Sequence, residues 1–436
     1  MPLDSTKQES ARDLPSRTDV VVIGGGVAGV STALFLAQRG VSVVLCEKGR
    51  VAAEQSSRNW GWVRKMGRDH RELPLMIKSA GLWEQLASEL DEDIGFRKCG
   101  ATYIARSEKE LERYEAWLTE NSHFGLDSTL WGSEKTARFL SRNDKRFLGA
   151  LHTESDAIAE PKLAVPAIAR LAKAKGAQIV EQCAVRSVQR SAGRVVGVVT
   201  EQGPIDCNMV ILAGGAWSRV FLENLGFRFP QLAIKASAVR TASALAPCTG
   251  AIGSAKVSIR PRKDGGFSLA RSGAAEFQLI PAAFRYFPSY VPVLKERWKI
   301  MKIRAGKQFF GPLGAASWTE DEVSPFEKNR ILDPTPDHAL LADVMKSARA
   351  LFPQLADVQP VETWAGMIDV VPDEIPAIGV VPGLEGMMVA TGLSGHGFGI
   401  GPGVGLLAAQ LAIGETPVVD PTAFDPARFS PRSPGQ

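Results

Sequence analysis

The chain has 436 residues, of which 45% are hydrophobic and 22% charged, and its net charge at pH 7 is +4. A chain of this length usually divides into two domains, and the composition is that of a soluble globular protein. The mild positive charge gives no case for binding nucleic acid. The five cysteines and five histidines are dispersed, without metal-ligand spacing. We therefore expect reduced thiols, a cytoplasmic protein and no metal site.

The first 17 residues are polar and charged. They lack the apolar core of a signal peptide or of a membrane anchor, and no later segment has the length of a membrane-spanning helix. We predict a flexible tail over 1–17.

The stretch 18–47 predicts a βαβ unit with a glycine turn. An apolar strand, Val20–Ile23, precedes the turn, Val27 and Ala28 open the helix, and Glu47 ends the second strand. The turn has G-x-G-x-x-G spacing through Gly24, Gly26 and Gly29. These glycines allow a tight turn, the approach of a pyrophosphate and close helix packing, and the helix N-terminus offers N–H groups to the phosphates. A structural glycine turn is the alternative, but with Glu47 placed to bind ribose hydroxyls we favour an adenine dinucleotide.

The segment 48–62 is rich in small and polar residues and predicts a loop over a ligand. Ser56, Ser57 and Arg58 suit phosphate oxygens. Trp60-Gly61-Trp62 is suited to lining a flat ring. A surface loop anchored by the two tryptophans is an equally good interpretation.

A second buried strand and glycine turn is predicted at 208–218, where Gly214 and Gly215 lack the rest of the fingerprint. No other segment of the sequence carries the full spacing. A flavin enzyme driven by NAD(P)H usually needs a second dinucleotide site. If the dinucleotide is FAD, we therefore expect its electrons to come from the substrate.

The glycine-dense run 391–403 contains His396 and lies between a predicted strand and a predicted helix. A glycine loop at a helix N-terminus favours anions and would stabilise negative charge on a reduced flavin ring. A close-packed turn is the alternative.

The segment 281–317 is basic and aromatic, with Glu296 as its only acidic residue. Such a segment suits an anionic membrane surface. A packed insertion with a solvated basic face is the other interpretation, and the one we favour.

These segments together resemble the D-amino acid oxidase superfamily of FAD enzymes. The resemblance is carried by V-V-V-I-G-G-G-V-A-G with Glu47, I-L-A-G-G-A-W-S at 211–218, W-A-G-x-x-D-x-x-P-D from Trp364 and G-H-G-F from Gly395. The stretches A-E-Q-S-S-R (53–58), V-T-E-Q-G-P-I (199–205) and S-P-F-E-K (324–328) are most similar to bacterial L-amino acid deaminases of the Proteus type. Those enzymes carry an apolar N-terminal anchor, from which 1–17 departs.

The resemblance implies an α/β (α+β) fold, with a Rossmann-like FAD-binding domain and a β-rich substrate domain. We expect the FAD-binding domain over 18–90, 150–232 and 330–425, and the substrate domain over 91–149 and 233–329. FAD is expected to be noncovalent, because no cysteine follows Cys248. The residues that would bind it are Gly24, Gly26, Val27, Ala28, Gly29, Glu47, Lys48, Gln55, Ser56, Ser57, Arg58, Asn59, Trp60, Gly61, Val185, Ala213, Gly214, Gly215, Trp217, Gly366, Gly392, Gly395, Gly397 and Phe398.

The implied reaction is oxidative deamination of an L-amino acid, in which the α-hydrogen leaves as hydride to flavin N5 and the imine hydrolyses to a 2-oxo acid and ammonium. Arg271 matches the carboxylate clamp of the family, an arginine fork fits a carboxylate, and a strand-end surface arginine is the alternative. Arg240, Arg260 and Arg64 are reserves. His396 would tune the flavin or line the pocket, and Trp62 and Trp364 would form pocket walls, although structural roles suit all three.

Oxygen or a quinone would reoxidise the flavin. The alternatives are a D-amino acid or secondary-amine oxidase or dehydrogenase on the same fold, and a flavoprotein with an inactive site. We expect a cytoplasmic protein, with peripheral contact at the inner membrane left open.

Overall fold

The structure is a computed structural model that describes residues 14–140, 147–247, 249–297, 301–314 and 317–430. Its helices are α1 (Val27–Ala37), α2 (Gln55–Arg58), α3 (Leu73–Glu89), α4 (Glu108–Glu120), α5 (Ser133–Phe139), α6 (Pro161–Ala174), α7 (Ser218–Asn224), α8 (Pro281–Arg297), α9 (Pro325–Lys328), α10 (His338–Leu351) and α11 (Gly397–Ile413). Its strands are β1 (Val20–Ile23), β2 (Val43–Cys46), β3 (Trp62–Val63), β4 (Arg97–Lys98), β5 (Ala101–Ala105), β6 (Ser128–Gly132), β7 (Gly149–Thr153), β8 (Ala157–Ile158), β9 (Gln178–Val180), β10 (Val185–Ser191), β11 (Arg194–Thr200), β12 (Gly203–Asp206), β13 (Met209–Leu212), β14 (Leu232–Thr241), β15 (Ala251–Gly253), β16 (Ser258–Pro261), β17 (Phe267–Ala270), β18 (Ala275–Gln278), β19 (Met301–Arg304), β20 (Pro360–Val370), β21 (Ala377–Val380) and β22 (Met387–Thr391).

Six strands form a sheet in the order β21-β22-β13-β1-β2-β9. All neighbours are parallel except β21 and β22. The central strands β1 and β2 are continuous apolar runs and almost fully buried, as in a parallel sheet that is covered on both faces. The turn after β1 opens at the carboxyl edge of this sheet, where open α/β folds bind ligands. The α/β class predicted from the sequence is therefore confirmed.

A second sheet has ten strands, in the order β19-β18-β14-β17-β16-β15-β5-β7-β6 with β20 paired to β14. This is the β-rich part of the fold, but its boundaries differ from the predicted ones. The predicted FAD-binding ranges 150–232 and 330–425 include most of β7, all of β20 and helix α10. Instead β7 pairs with β5 and β6, β20 pairs with β14 along its length, and α10 packs on β17. Strand pairing between distant segments leaves no local signal, and this explains the difference.

Helix α11 is held against α3 by hydrogen bonds around an internal proline. Pro402 has no N–H to donate and disturbs the helical ladder. The Ser79 hydroxyl donates to the Gly399 carbonyl (2.7 Å) and accepts from the Gly403 N–H (3.0 Å), and the Trp83 indole N–H also donates to Gly399 (2.9 Å). Helix α3 thereby fixes the first turns of α11.

Helix α8 opens the predicted basic insertion, part of which (298–300 and 315–316) lies outside the described residues. The Tyr290 hydroxyl donates to the carbonyls of Pro230 (2.9 Å) and Val370 (2.6 Å), and the Tyr286 hydroxyl donates to Glu223 (2.7 Å). These bonds anchor the helix to the rest of the protein.

The other side of the insertion is apolar and exposed, although its charges are partly paired. Phe284, Phe287 and Phe310 are 64%, 56% and 89% exposed. Arg285 pairs with Glu223 (2.8 Å) and Lys302 pairs with Asp337 (2.6 Å).

The predicted tail is only partly described, because residues 1–13 lie outside the described part of the chain. Ser16 and Arg17 already pair with Asp206, the last residue of β12, so the chain packs before the predicted boundary at 18. Among the helices described, none combines the length and the apolar character needed to span a bilayer.

The hydrogen bonds of Ser79 that bridge α3 and α11 predict that Ser79→Ala lowers the stability of the protein. The substitution leaves the Gly403 N–H without its acceptor in a buried site, so the free energy of unfolding should fall by roughly 1–3 kcal/mol in urea denaturation. Ser88→Ala is the control, because its exposed hydroxyl bonds only to Gln85 within α3. Equal losses in the two variants would contradict the bridge.

Candidate active site

A cavity of about 740 Å³ is lined by residues from both sheets. One end meets the turn between β1 and α1, the end of β2 and the loop that follows it. The other end meets β14, β18, α8 and the β3 region. The volume is that of a site for a small molecule or cofactor.

The turn after β1 depends on two close backbone approaches. Gly24 has φ +109°, and a Cβ there would lie 2.5 Å from the Ala213 carbonyl oxygen. A Cβ at Gly29 would overlap the Gly24 carbonyl, so only glycine lets α1 pack this closely on β1. Gly26, Val27 and the turn itself line the cavity.

The Glu47 carboxylate lies at the same end of the cavity, directly after β2. It accepts hydrogen bonds from the backbone N–H groups of Gly25 (2.6 Å) and Gly49 (2.7 Å). Burial raises the pKa of Glu47, whereas these two N–H groups lower it. The carboxylate is an acceptor for hydroxyl groups and would repel a phosphate.

An arginine beside two neighbouring aromatic rings lines the opposite end. The Arg64 guanidinium lies 6.0 Å from the Trp62 ring centroid and 5.4 Å from that of Tyr103, and it donates to the Met66 carbonyl. The buried Trp62 indole N–H has no hydrogen-bond partner among the described residues. The arrangement offers donors to an anionic group beside flat apolar surfaces.

The first turn of α11 supplies a further wall. His396, Gly397 and Phe398 line the cavity, and within the described part of the chain no side chain caps the N-terminus of this helix. Phe398 packs on Trp83 with ring centroids 4.8 Å apart. The uncapped end leaves N–H groups and a positive dipole end toward the cavity.

Comparison with known families matches residues 19–411 to DAO, the FAD dependent oxidoreductases. The chain belongs to this family. An L-amino acid deaminase from Proteus myxofaciens, solved with anthranilate, is 30% identical with a TM-score of 0.91, covering 98% of this chain and 96% of that one. The L-amino acid deaminase from Proteus vulgaris is 28% identical with a TM-score of 0.90, covering 98% and 100%. A glycine oxidase from Pseudomonas aeruginosa is 28% identical over 94% of this chain and 98% of its own length.

The nucleotide end of this DAO-family protein suits the FAD that the family uses. The glycine turn leaves room where any side chain would clash, α1 presents its N-terminus, and Glu47 supplies an acceptor for ribose hydroxyls. Lining residues extend from this end to α11 without interruption. The donors and acceptors present therefore fit an extended dinucleotide.

The predicted phosphate-binding residues have protein partners. The Ser56 hydroxyl accepts from the Val27 N–H (2.8 Å) at the start of α1. The Arg58 guanidinium donates to the carbonyls of Leu332 (2.6 Å) and Ala365 (3.1 Å), and so joins two distant segments. Ser57 donates to the Glu54 carbonyl (3.4 Å).

Lys48 lines the cavity but also clamps a neighbouring loop. Its ammonium donates to Glu54 (2.7 Å) and to the carbonyls of Asn329 (3.0 Å) and Arg330 (2.6 Å). The predicted cofactor residues Ala28, Gln55, Asn59, Trp60, Val185, Ala213, Gly214, Gly215, Trp217, Gly366 and Gly395 also line the cavity.

Several predicted residues do not line the cavity. Trp364 was predicted as a pocket wall, but its indole N–H donates to the Arg58 carbonyl (2.8 Å) and its ring faces Lys162. Four further predicted residues also lie outside the cavity lining: Gly29, Ser57, Gly61 and Gly392.

The predicted clamp, Arg271, lines the cavity with its guanidinium already engaged. It bonds to the Asp343 carboxylate and to the Lys256 carbonyl (3.0 Å). The reserves Arg240 and Arg260 lie outside the cavity lining. Arg260 is buried in a two-pronged pair with Glu160 (2.7 and 3.1 Å), and Arg240 pairs with Asp264 (3.0 Å). Of the arginines named from the sequence as clamps, only Arg64 and Arg271 therefore line it.

The sequence interpretation missed Tyr103 and Asp369. The buried Asp369 carboxylate accepts from the backbone N–H groups of Gly392 (2.7 Å) and Leu393 (3.2 Å) and so shapes the loop before α11. It is the aspartate of the W-A-G-x-x-D motif, so a signal for it was present. Tyr103 lies in an ordinary strand pattern and had none. In the described residues no cluster of three or more metal-ligating side chains occurs.

Asp156 holds the segment that carries Arg64. Its fully buried carboxylate accepts from the backbone N–H groups of Lys65 (2.7 Å) and Met66 (3.3 Å). Burial raises the pKa of Asp156 from the ordinary 3.8 to about 6, against the opposing effect of those two N–H groups.

This raised pKa predicts a pH-dependent stability. The unfolded chain ionises Asp156 more readily than the folded chain, so its contribution is full below about pH 4 and declines as the pH rises to about 6. The side-chain amide introduced by Asp156→Asn cannot ionise. The unfolding free energy of this variant relative to wild type should therefore improve on the order of 1 kcal/mol between pH 5 and pH 8. Urea denaturation at both pH values tests this, with exposed Asp91→Asn as control. A constant difference would contradict it.

Proposed function

We propose that this protein oxidises an L-amino acid to a 2-oxo acid and ammonium with a noncovalently bound FAD. The observation that carries the proposal is the single cavity, with a dinucleotide turn at one end and an arginine beside two aromatic rings at the other. Such a cavity would accommodate a dinucleotide next to an anionic substrate.

Similarity over nearly the whole chain to two Proteus L-amino acid deaminases supports this choice of substrate. The similarity to a glycine oxidase keeps a different amine substrate open, and the second candidate is therefore oxidation of a D-amino acid or a secondary amine on the same fold. The fold serves both, because stereochemistry depends on which face of the substrate the pocket presents.

The cofactor would be held by the glycine turn after β1, by Glu47 and by the N-terminus of α11. When bound, FAD supplies an acceptor for the hydride that leaves the substrate α-carbon. Of the described cysteines only Cys46 lines the cavity, directly before Glu47 at the nucleotide end. This placement supports noncovalent binding.

The chain's own residues would orient the substrate. We assign the carboxylate to the Arg64 fork, because it lies beside the rings of Trp62 and Tyr103 and no carboxylate forms a salt bridge with it among the described residues. The indole N–H of Trp62 offers a further donor. Arg271 remains the competitor, although it would first have to leave Asp343.

The apolar face of α8 would exclude water from the outer cavity. Phe284, Phe287 and Leu294 line it. The exposed phenylalanines also support a peripheral contact with an anionic membrane surface, aided by the exposed Lys295 and Lys307. The electron acceptor would be oxygen or a quinone.

Anaerobic mixing with a panel of L-, D- and N-methyl amino acids tests the function. We expect acid precipitation to release the FAD, and L-amino acids to bleach it at least tenfold faster than their D-isomers. Reoxidation by air or by a soluble quinone then identifies the acceptor. Bleaching only by D- or N-methyl substrates would favour the second candidate, and none at all would contradict both.

The clamp is tested by Arg64→Met beside Arg271→Met. Loss of a two-pronged charged bond of about 1.5–3 kcal/mol should weaken binding of a carboxylate inhibitor roughly 10- to 150-fold in Arg64→Met. Arg271→Met should change it less than about threefold. The inhibitor Kd follows from flavin spectral titration, and the opposite ranking would restore Arg271 as the clamp.

Membrane contact is tested by sedimentation with anionic liposomes at low salt. We expect wild type in the pellet and the triple variant Phe284→Ser, Phe287→Ser, Phe310→Ser in the supernatant, because the apolar side chains supply the insertion energy. Wild type that stays in the supernatant would rule out the contact.

A further inference from the structure

A buried carboxylate, Glu72, lies between Arg68 and His396 immediately before α3. Its Oε1 is 3.3 Å from the Arg68 guanidinium and 3.3 Å from His396 Nδ1. Among the described residues, the other oxygen, Oε2, and His396 Nδ1 have no aligned hydrogen-bond partner. Arg68 also donates to the His396 carbonyl (3.1 Å), which fixes the two residues against each other.

Glu72 is ionised in this cluster. Burial acts to raise its pKa, but Arg68 and His396 together lower the pKa to about 2. Loss of a donor to a buried carboxylate costs about 1–3 kcal/mol or more. Among the described residues, His396 Nδ1 is the second group beside Arg68 that lies close to this carboxylate, 3.3 Å from Oε1, and it can donate to Oε1 when Nδ1 carries the proton.

The location of the proton on the His396 ring decides whether Nε2 is a hydrogen-bond donor or an acceptor. In a neutral imidazole only one nitrogen is protonated, and the hydrogen bond of one nitrogen sets the state of the other. His396 lines the cavity and its side chain is 27% exposed. With Nδ1 directed at Glu72, the lone pair of Nε2 is the available acceptor.

We propose that Glu72 is a positioning residue that fixes His396 in the Nδ1–H tautomer, so that His396 Nε2 accepts the proton of the substrate ammonium group. This inference rests on the proposed function for the identity of the proton donor. In the step, one ammonium N–H bond breaks and the proton joins the Nε2 lone pair. The products are a neutral amine and an imidazolium whose charge Glu72 balances. No electrons are transferred, and the amine regains the lone pair that departure of a hydride from the α-carbon requires.

The other ionisable groups around His396 narrow the choice of acceptor. Arg68 contacts His396 directly, Asp369 bonds to the loop before it, and Arg64, Tyr103 and Glu374 line the same cavity. The two arginines are donors only, and Asp369 accepts from the backbone of Gly392 and Leu393. Glu374 is the competing acceptor, since it also lines the cavity. Its variant therefore belongs in the test.

The tautomer is measured on the wild-type flavoprotein by long-range ¹⁵N–¹H NMR of the histidine rings. The His396 signals are assigned by their loss in His396→Gln. We expect a protonated Nδ1 and an unprotonated Nε2, and a changed tautomer ratio in Glu72→Gln. Glu120→Gln is the matched control, because it alters the exposed His70–Glu120 pair (3.1 Å) and should leave His396 unchanged. A protonated Nε2 in neutral His396 of the wild type would overturn the proposal even if Glu72→Gln does not fold.

The proton transfer is measured as kcat/KM against pH with the amino acid that bleaches the flavin fastest. We expect an ascending limb in wild type, its loss in His396→Gln with a decrease of about 100-fold near pH 7, and its retention in Glu374→Gln. A limb that survives in His396→Gln, or that disappears in Glu374→Gln, would overturn the proposal. If no amine bleaches the wild type, the proposed function fails, while the ring spectrum still tests Glu72 and His396.

Discussion

The junction of the two sheets depends on one buried carboxylate. Asp369 is the penultimate residue of β20, which pairs with β14, and it accepts N–H bonds from the loop that follows β22 of the other sheet. Gln231 also donates to it (3.2 Å), and the Asp369 N–H bonds to Gln55 (3.4 Å). Burial raises its pKa. Because one residue joins β14, α2 and the loop before α11, the cavity walls that these elements form are fixed relative to each other.

The segment 64–72 organises the other end of the cavity in a similar way. Asp156 accepts a hydrogen bond from its backbone, and an ion pair between Arg68 and Glu72 joins two residues of the segment itself. Arg64 lines the cavity, and His396, the residue directly before α11, is bonded to the same segment through Arg68. Arg64 and the start of α11, which both line the cavity, thus share one support, and this couples their geometry.

Helix α8 is anchored to the protein on one side and is apolar and partly exposed on the other. Its tyrosines satisfy their hydroxyls on the protein, while its phenylalanines line the cavity mouth and remain partly exposed. Several of its basic residues are paired with acidic ones, which weakens the simple inference from a basic composition to a basic surface.

The sequence by itself determined the β1 turn, α1 and Glu47, the glycine loop before α11 and the family, because each is a local pattern whose geometry forces particular residue types. Tertiary structure alone decided the placement of β20 and α10, the engagement of Arg58 and Arg271 by distant groups, and the removal of Trp364 from the cavity wall. Long side chains bond to whatever the fold brings near, and strands pair across hundreds of residues. The local sequence therefore predicts neither the partner of a long side chain nor the pairing of a distant strand.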